Sequence, residues 1–105
     1  MVKHSKHLPR AIRTQQLLDA ALKAAQKHGI FKMRRQDIAG EIGVTPALVS
    51  FYLGTMTSVQ RAVVRHAVHE RNLPVIAEAI TRKSPYVKNI PDELRQAVAA
   101  HIAAG

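Results

Sequence analysis

The chain contains no cysteine and no tryptophan, and phenylalanine and tyrosine together make up only 4% of its 105 residues. Without cysteine there is no disulfide, no thiolate nucleophile and no cysteine-ligated zinc finger. With so few aromatic residues the core must be built from Leu, Ile, Val and Ala, a mixture that favours helices. No apolar run is long enough to span a bilayer. The first ten residues, MVKHSKHLPR, lack the apolar core of a secretory signal, so we expect a cytoplasmic protein.

Acidic residues are also scarce. The chain has 16 Lys/Arg against 7 Asp/Glu, a formal net charge of +9. A surplus of this size attracts polyanions, and it makes nucleic acid the first candidate partner and an anionic membrane surface the second. Residues 1–56 carry nine Lys/Arg and three acids, whereas residues 57–105 carry seven and four. The N-terminal half is therefore the expected nucleic-acid face.

Apolar residues recur at helical spacing and no strand pattern is present, which predicts an all-α fold. A first helix over residues 10–28 has Ile12, Leu18, Ala21, Leu22 and Ala25 as its apolar positions. Gly29 follows and is expected to end this helix in a left-handed cap. Residues 35–42 predict a second helix. A third is predicted over residues 46–53, where Thr45 stands as N-cap before Pro46.

The C-terminal half predicts a long fourth helix and a short last one. Thr57-x-x-Gln60 has the form of a capping box, so the fourth helix is expected to begin there. Pro74 must kink or split that helix near Asn72. Pro91 opens the last helix. The predicted organisation is a flexible basic arm over 1–9, a three-helix helix-turn-helix domain over 10–56, and C-terminal helices over 57–105.

Residues 35–54 fit the packing code of a DNA-binding helix-turn-helix. Apolar residues stand where the two helices must lock together, a small residue stands where they cross, and glycine occupies the turn, which often needs a positive φ. The predicted packing residues are Ile38, Ala39, Ile42, Gly43, Val44 and Val49. Tyr52 is expected to bury its ring with the hydroxyl at the rim.

The residues left outward by this code are expected to meet double-stranded DNA in the major groove. The predicted base contacts are Gln36, Thr45, Pro46, Ala47, Ser50 and Phe51. Most are small or apolar, so readout would rest on thymine methyl contacts, a serine hydroxyl and DNA shape. Burial of Phe51 against the fourth helix remains open. The predicted phosphate contacts lie at the starts of the second and fourth helices, at Tyr52 and in the arm: Arg34, Arg35, Tyr52, Thr57, Ser58, Lys3, Lys6, Arg10 and Arg13.

These residues resemble the N-terminal DNA-binding domain of TetR-family regulators, over about residues 12–63. The segments that carry the resemblance are LLDAALKAAQKHG and RRQDIAGEIGVTPALVSFYLGTMTSV. Ile38-Ala39, Gly43-Val44-Thr45 and Phe51-Tyr52 fit the family pattern. Ser50, Leu53 and Met56 depart from the usual tyrosine, phenylalanine and lysine, and this puts the family's backbone contacts at positions 50 and 56 in doubt.

The family resemblance also implies a C-terminal domain that binds an effector and dimerises. About forty residues follow the match, too few to enclose a drug-sized pocket, so we expect neither a small-molecule effector nor a cofactor. We expect a homodimer, because a last helix with an apolar stripe needs cover; packing of that stripe on the chain's own core is equally open. The predicted dimer residues are Leu73, Ile76, Ile80, Leu94, Val98 and Ile102.

Other classes of function fit less well. His66, His69 and Glu70 stand at HxxHE spacing, but no zinc motif has this order, so we interpret the histidines as a surface pair and expect no enzyme. Basic amphipathic helices could instead serve a membrane- or protein-interaction module. Within DNA binding, the chain could be a dimeric repressor acting on a palindromic operator, associated with the nucleoid when bound. It could also be a phage- or plasmid-type accessory protein in replication or maintenance.

Overall fold

The computed structural model describes residues 8–105 and confirms the all-α fold, with no strand in this range. Within these residues six α-helices follow one another, and the 3-10 turn Pro85–Val87 stands between the last two. The helices are α1 Arg10–His28, α2 Arg35–Ile42, α3 Pro46–Leu53, α4 Met56–Glu70, α5 Leu73–Thr81 and α6 Asp92–Ala104. None of the helices described is long and apolar enough to cross a membrane.

The face of α1 that enters the core includes three of the five predicted apolar positions and also Leu17, which was not among them. Leu17 is fully buried, whereas Leu18 is only partly buried and Ile12 exposes 49% of its surface. Leu17 continues into a run of small residues, Ala20, Ala21 and Ala24, so this stripe of the helix lets its neighbours approach closely. Ala21, Leu22 and Ala25 are buried, whereas Ile12 and Leu18, which the same spacing groups with them, do not enter the core. A stripe beginning at residue 17 and one beginning at residue 18 both satisfy helical spacing.

The first three helices begin and end at the predicted residues. Thr45 takes extended backbone angles as the N-cap of α3 and Pro46 stands in its first turn, although the threonine side chain makes no capping hydrogen bond. Asp37 secures the start of α2, because its Oδ2 accepts the Arg34 N–H at 2.8 Å. An ion pair between Lys27 Nζ and Glu41 Oε2 at 2.8 Å joins the end of α1 to the end of α2.

Gly29 ends α1 with a positive φ, but not in the predicted left-handed helical conformation. Its angles are φ 98° and ψ 148°. This extended exit directs the chain toward α5, where both carboxylate oxygens of Glu78 accept the Ile30 N–H, at 2.9 and 3.0 Å. A Cβ at position 29 would lie 3.2 Å from Glu78 Oε2. Glycine is therefore favoured here by its backbone angles, and a larger residue would also crowd the carboxylate of Glu78.

The fourth helix begins earlier than predicted and does not run on into α5. Thr55, not Thr57, is its N-cap, because Thr55 Oγ1 accepts the Ser58 N–H at 3.1 Å. The helix ends at Glu70, and Arg71 takes left-handed angles (φ 57°, ψ 42°) as its C-cap. Asn72 then caps α5 through its side chain, which accepts the Val75 N–H at 3.2 Å. The prediction of a long or kinked helix is thus resolved as a split, with Pro74 in the first turn of α5, where its missing N–H costs nothing.

The core is continuous from the helix-turn-helix to the C-terminal helices, and α6 packs on α5. Three of the predicted dimer residues lie inside this core: Ile76, Leu94 and Val98 expose 0, 2 and 0% of their surfaces. Their assignment to a dimer interface was wrong, because the apolar stripe of α6 is covered by the chain's own α5. Leu73 and Ile80 are partly buried against the same core, and Ile102 is 46% exposed.

The two histidines of α4 are not a surface pair. His66 is buried, and its Nε2 lies 2.7 Å from Asp19 Oδ1 on α1. His69 is exposed, with its ring stacked on that of His66 at 6.5 Å between centroids. His66 therefore helps to hold α4 against α1. Among the residues described, no three His, Cys, Asp or Glu side chains are grouped so that they could hold a metal ion.

Candidate nucleic-acid interface

Two eight-residue helices, α2 and α3, are joined by the tight turn Gly43–Thr45. Gly43 takes the left-handed conformation (φ 68°, ψ 37°), which a residue with a Cβ adopts at a cost. The Val44 N–H then donates to the Ala39 carbonyl at 3.1 Å and closes the turn. This is the geometry that the helix-turn-helix pattern predicts for its turn.

Most of the predicted packing residues lie between the two helices and the core. Ile38, Ala39 and Val49 expose 0, 2 and 0% of their surfaces, and Val44 packs partly buried against them. Ile42 was predicted to be buried with them, and this was wrong, because it exposes 39% of its surface. It stands at the last position of α2 and lines a surface cleft beside Gly43.

The outward face of the helix-turn-helix carries most of the predicted base contacts. Gln36, Thr45, Pro46, Ala47 and Phe51 are all exposed. Ser50, the remaining member of the set, is half-buried. Together they form a surface of small and apolar groups with one amide and two hydroxyls, and the structure leaves it uncovered by the residues described.

Phe51 is the most exposed large apolar side chain described, at 68%. It does not pack into the core, so burial against α4 is excluded. Its ring meets the Tyr52 ring edge-on, with centroids 5.0 Å apart and an angle of 82° between the planes. The Arg10 guanidinium lies over both rings, 5.7 Å from the Phe51 centroid and 5.3 Å from that of Tyr52. A cation at this distance is attracted by the ring faces, so the start of α1 braces the end of α3.

The start of α2 gathers two of the predicted phosphate contacts. The Arg34 side chain is 69% exposed, and its Nε lies 3.8 Å from Asp37 Oδ2, a loose pairing that leaves it accessible. Arg35 is half-buried, and among the described residues its Nε is buried without a hydrogen-bond partner. A buried donor without an acceptor is costly to the folded state.

The start of α4 offers less than predicted. Thr57 is exposed, but the Ser58 hydroxyl lies 3.2 Å from Thr55 Oγ1 and is engaged in the cap. The capping-box pattern, with Gln60 three residues after Thr57, predicted Thr57 as the N-cap. The helix is instead capped two residues earlier by Thr55, which is followed at the same spacing by Ser58.

The contacts predicted for the N-terminal segment have different outcomes. Arg13 exposes only 5% of its surface and bonds Gln16 Oε1 through its Nη1 at 3.2 Å. Its guanidinium is thus withdrawn below the surface that a duplex would touch, which runs against its assignment as a phosphate contact. Lys3 and Lys6, with most of the predicted basic arm, lie outside the described residues.

Sequence reasoning missed a second basic feature. Arg61 and Arg65 on α4 line a cleft together with Lys88 from the segment before α6. The four-residue spacing of the two arginines, which places them on one helix face, was the available signal. Their grouping with Lys88 depends on the fold of residues 83–90 and has no signature in the sequence.

Comparison with known proteins places the chain beside a transcription regulator. It is 30% identical over 77 residues, 73% of its length, to the HTH-type transcriptional regulator BetI of Agrobacterium fabrum. The chain spans 37% of the length of that relative. No protein-family model matches the chain, and no solved structure matches it. The chain is therefore similar to less than half of a helix-turn-helix transcriptional regulator.

Proposed function

We propose that the chain is a sequence-specific binder of double-stranded DNA that places α3 in the major groove, in the manner of a TetR-type N-terminal domain. The observation that carries this is the uncovered outward face of α3, with Phe51 68% exposed beside a correctly closed helix-turn-helix turn. The similarity to a protein named as a transcriptional regulator supports a role in transcription. Such a role places the protein in the cytoplasm, on the nucleoid when bound.

The face of α3 suits readout by shape and methyl contact. Ala47 and Phe51 offer apolar surface to thymine methyl groups, and Ser50 offers a hydroxyl. None of the residues exposed on α3 can form a bidentate pair with a base, so a single copy would read a thin code. Arg34 and Arg35 at the start of α2 would bind phosphate and set the register of the helix on the duplex.

We further propose that the protein binds as a dimer to a palindromic operator and represses transcription there. Two copies on one duplex double the number of bases read, which compensates for the thin code of one α3. The burial of Ile76, Leu94 and Val98 in the chain's own core moves the proposed interface away from the α5–α6 contact. Ile102, 46% exposed near the end of α6, is the most exposed of the predicted dimer residues.

The test is selection from a pool of random duplexes at two salt concentrations. The proposal predicts an enriched palindrome whose affinity falls steeply with salt, because bound phosphates release their counterions. Enrichment of a single half-site would support sequence-specific DNA binding and contradict binding as a dimer. Salt-dependent binding without any enriched sequence would remove sequence specificity, and no binding at either salt concentration would overturn the proposal.

A further inference from the structure

A cleft of about 380 Å³ lies between α4 and the segment leading to α6. Its volume is within the range of small-molecule sites in proteins. The cleft is formed by these residues: Arg61, Arg65, Val68, Pro85, Tyr86, Lys88, Asn89 and Ile90. None of them belongs to the proposed DNA-binding face.

The charge of the cleft is of one sign. Arg61, Arg65 and Lys88 line it, all three are exposed, and no carboxylate lines it with them. Within residues 8–105, none of these three cations forms an ion pair. Because three cations line the cleft without a carboxylate among them, a bound anion would be attracted to it.

The wall opposite α4 is held by the backbone. Lys83 takes a positive φ of 55°, and the Ser84 N–H donates to the Ala79 carbonyl at 2.9 Å. The buried Ser84 hydroxyl in turn accepts the Tyr86 N–H at 3.2 Å. The Tyr86 ring is thereby placed under the Arg61 guanidinium, which lies 5.7 Å from its centroid. The site is preformed, so a ligand would not have to order the segment.

The cleft also has apolar surface. Val68 is half-buried, Ile90 exposes 7% of its surface, and the Tyr86 ring is partly buried beside them. A simple inorganic anion would use the three cations and leave this surface bare. A ligand that satisfies both features carries negative charge on an apolar or aromatic body.

We propose that this cleft binds a small organic anion, of the aryl or alkyl phosphate or polycarboxylate class, with its charged group between Arg65 and Lys88 and its apolar body against Tyr86 and Ile90. The proposal is independent of DNA binding, and it departs from the expectation that a chain of this length offers no ligand site. That expectation rested on the number of residues needed to enclose a cavity. This cleft is instead an open one, formed by one face of α4 and a short segment folded against it.

The experiment uses the full chain and naphthyl phosphate as the probe, with inorganic phosphate and naphthol as its two halves, followed by calorimetry and amide chemical shifts. We expect saturable binding of one naphthyl phosphate per chain, at least about tenfold tighter than either half, with shifts at Val68, Tyr86 and Asn89. Arg65→Gln should weaken binding about tenfold or more. The matched control is Arg95→Gln, which removes the same charge from the exposed surface of α6 outside the cleft and should leave the affinity unchanged.

Three results would overturn the proposal. The first is equal affinity of Arg65→Gln and Arg95→Gln for the probe, which would reduce the effect to net charge. The second is an affinity no greater than that of inorganic phosphate, which would remove the role of the apolar surface. The third is displacement of the probe by duplex DNA with shifts in the same cleft residues, which would assign the cleft to nucleic acid.

Discussion

Phe51 stands on α3 with 68% of its surface in solvent, while Val49 on the same helix is fully buried and Tyr52 is partly so. Single exposed apolar residues are common on protein surfaces, and exposure alone carries little meaning. Here the ring also contacts the edge of Tyr52 and the guanidinium of Arg10. Contacts that favour one position of an apolar group on α3 suit a base contact, because they reduce the conformational entropy lost when DNA binds.

Phe51→Ala and Arg35→Ala should have different effects on DNA binding. Without the ring, discrimination at one or two base positions should fall by about 1–3 kcal/mol and the preferred sequence should change. Arg35→Ala should weaken specific and random duplexes by a similar factor and make the salt dependence shallower. Both are measured as affinities for a selected and a scrambled duplex at two salt concentrations, after equal thermal unfolding midpoints show that each variant is folded. Parallel losses on both duplexes for both variants would contradict the assignment.

At the scale of the residue, helical spacing predicted only part of the burial pattern. The helical spacing in α1 fits stripes through either Leu17 or Leu18, and only the packing of the other helices selects Leu17. Ile42 satisfies the apolar requirement of its position and is nevertheless 39% exposed, because α2 ends there. The buried His66 pairs with Asp19, which is 47 residues away in the chain, so spacing along α4 alone gives no sign of this partner.

Helix boundaries belong to the next scale, and local capping chemistry predicts many of them. The glycines after α1, α2 and α3 and the Thr45-Pro46 pair gave the first three helices their correct limits. The predicted start of α4 was wrong because the capping-box pattern favoured Thr57, whereas Thr55, two residues earlier, caps the helix. The split between α4 and α5 was left open because Pro74 permits a kink as well as a break, and the left-handed Arg71 that makes the break has no marker in the sequence.

The corrected boundary of α4 can be tested with a pair of matched substitutions. Thr55→Ala should lower the free energy of unfolding by about 1 kcal/mol, because the Ser58 N–H loses its acceptor. Thr57→Ala removes the same hydroxyl from an exposed helical position and should change stability by less than about 0.5 kcal/mol. Urea denaturation of both variants measures the difference. A larger loss for Thr57→Ala would restore the boundary predicted from the sequence.

Glu78 connects the helix-turn-helix half to the C-terminal helices through the Ile30 N–H. Glu78→Ala should lower the free energy of unfolding by about 1–3 kcal/mol, because Ile30 is fully buried and its donor would be left unpaired. Glu93→Ala is the control, since it breaks an exposed pair with Arg71 at 3.2 Å. That loss should stay within about 1 kcal/mol. If thermal and urea denaturation show equal losses for the two variants, the contact between the halves does not stabilise the fold.

On the scale of the whole molecule, the net charge of +9 and the exposed face of α3 both support the proposed binding of DNA. The stripe through Leu94, Val98 and Ile102 shows why such reasoning is incomplete at this scale. A stripe of apolar residues predicts that a helix face is buried, but it does not show whether the chain itself or a second copy buries it. The basic cleft beside Tyr86 could not be predicted from the sequence for a similar reason. Its three cations line one cleft only once residues 83–90 fold against α4.

The central claim is that α3 and the start of α2 form the surface that meets DNA. Its most direct test is to titrate the nitrogen-labelled chain with the duplex enriched by selection and to map the amide chemical shifts. The account predicts the largest shifts at residues 34–36 and 45–51, with smaller ones near Arg10 and little change along α6. Shifts concentrated in the cleft of α4 or along α6, with α3 unchanged, would contradict it.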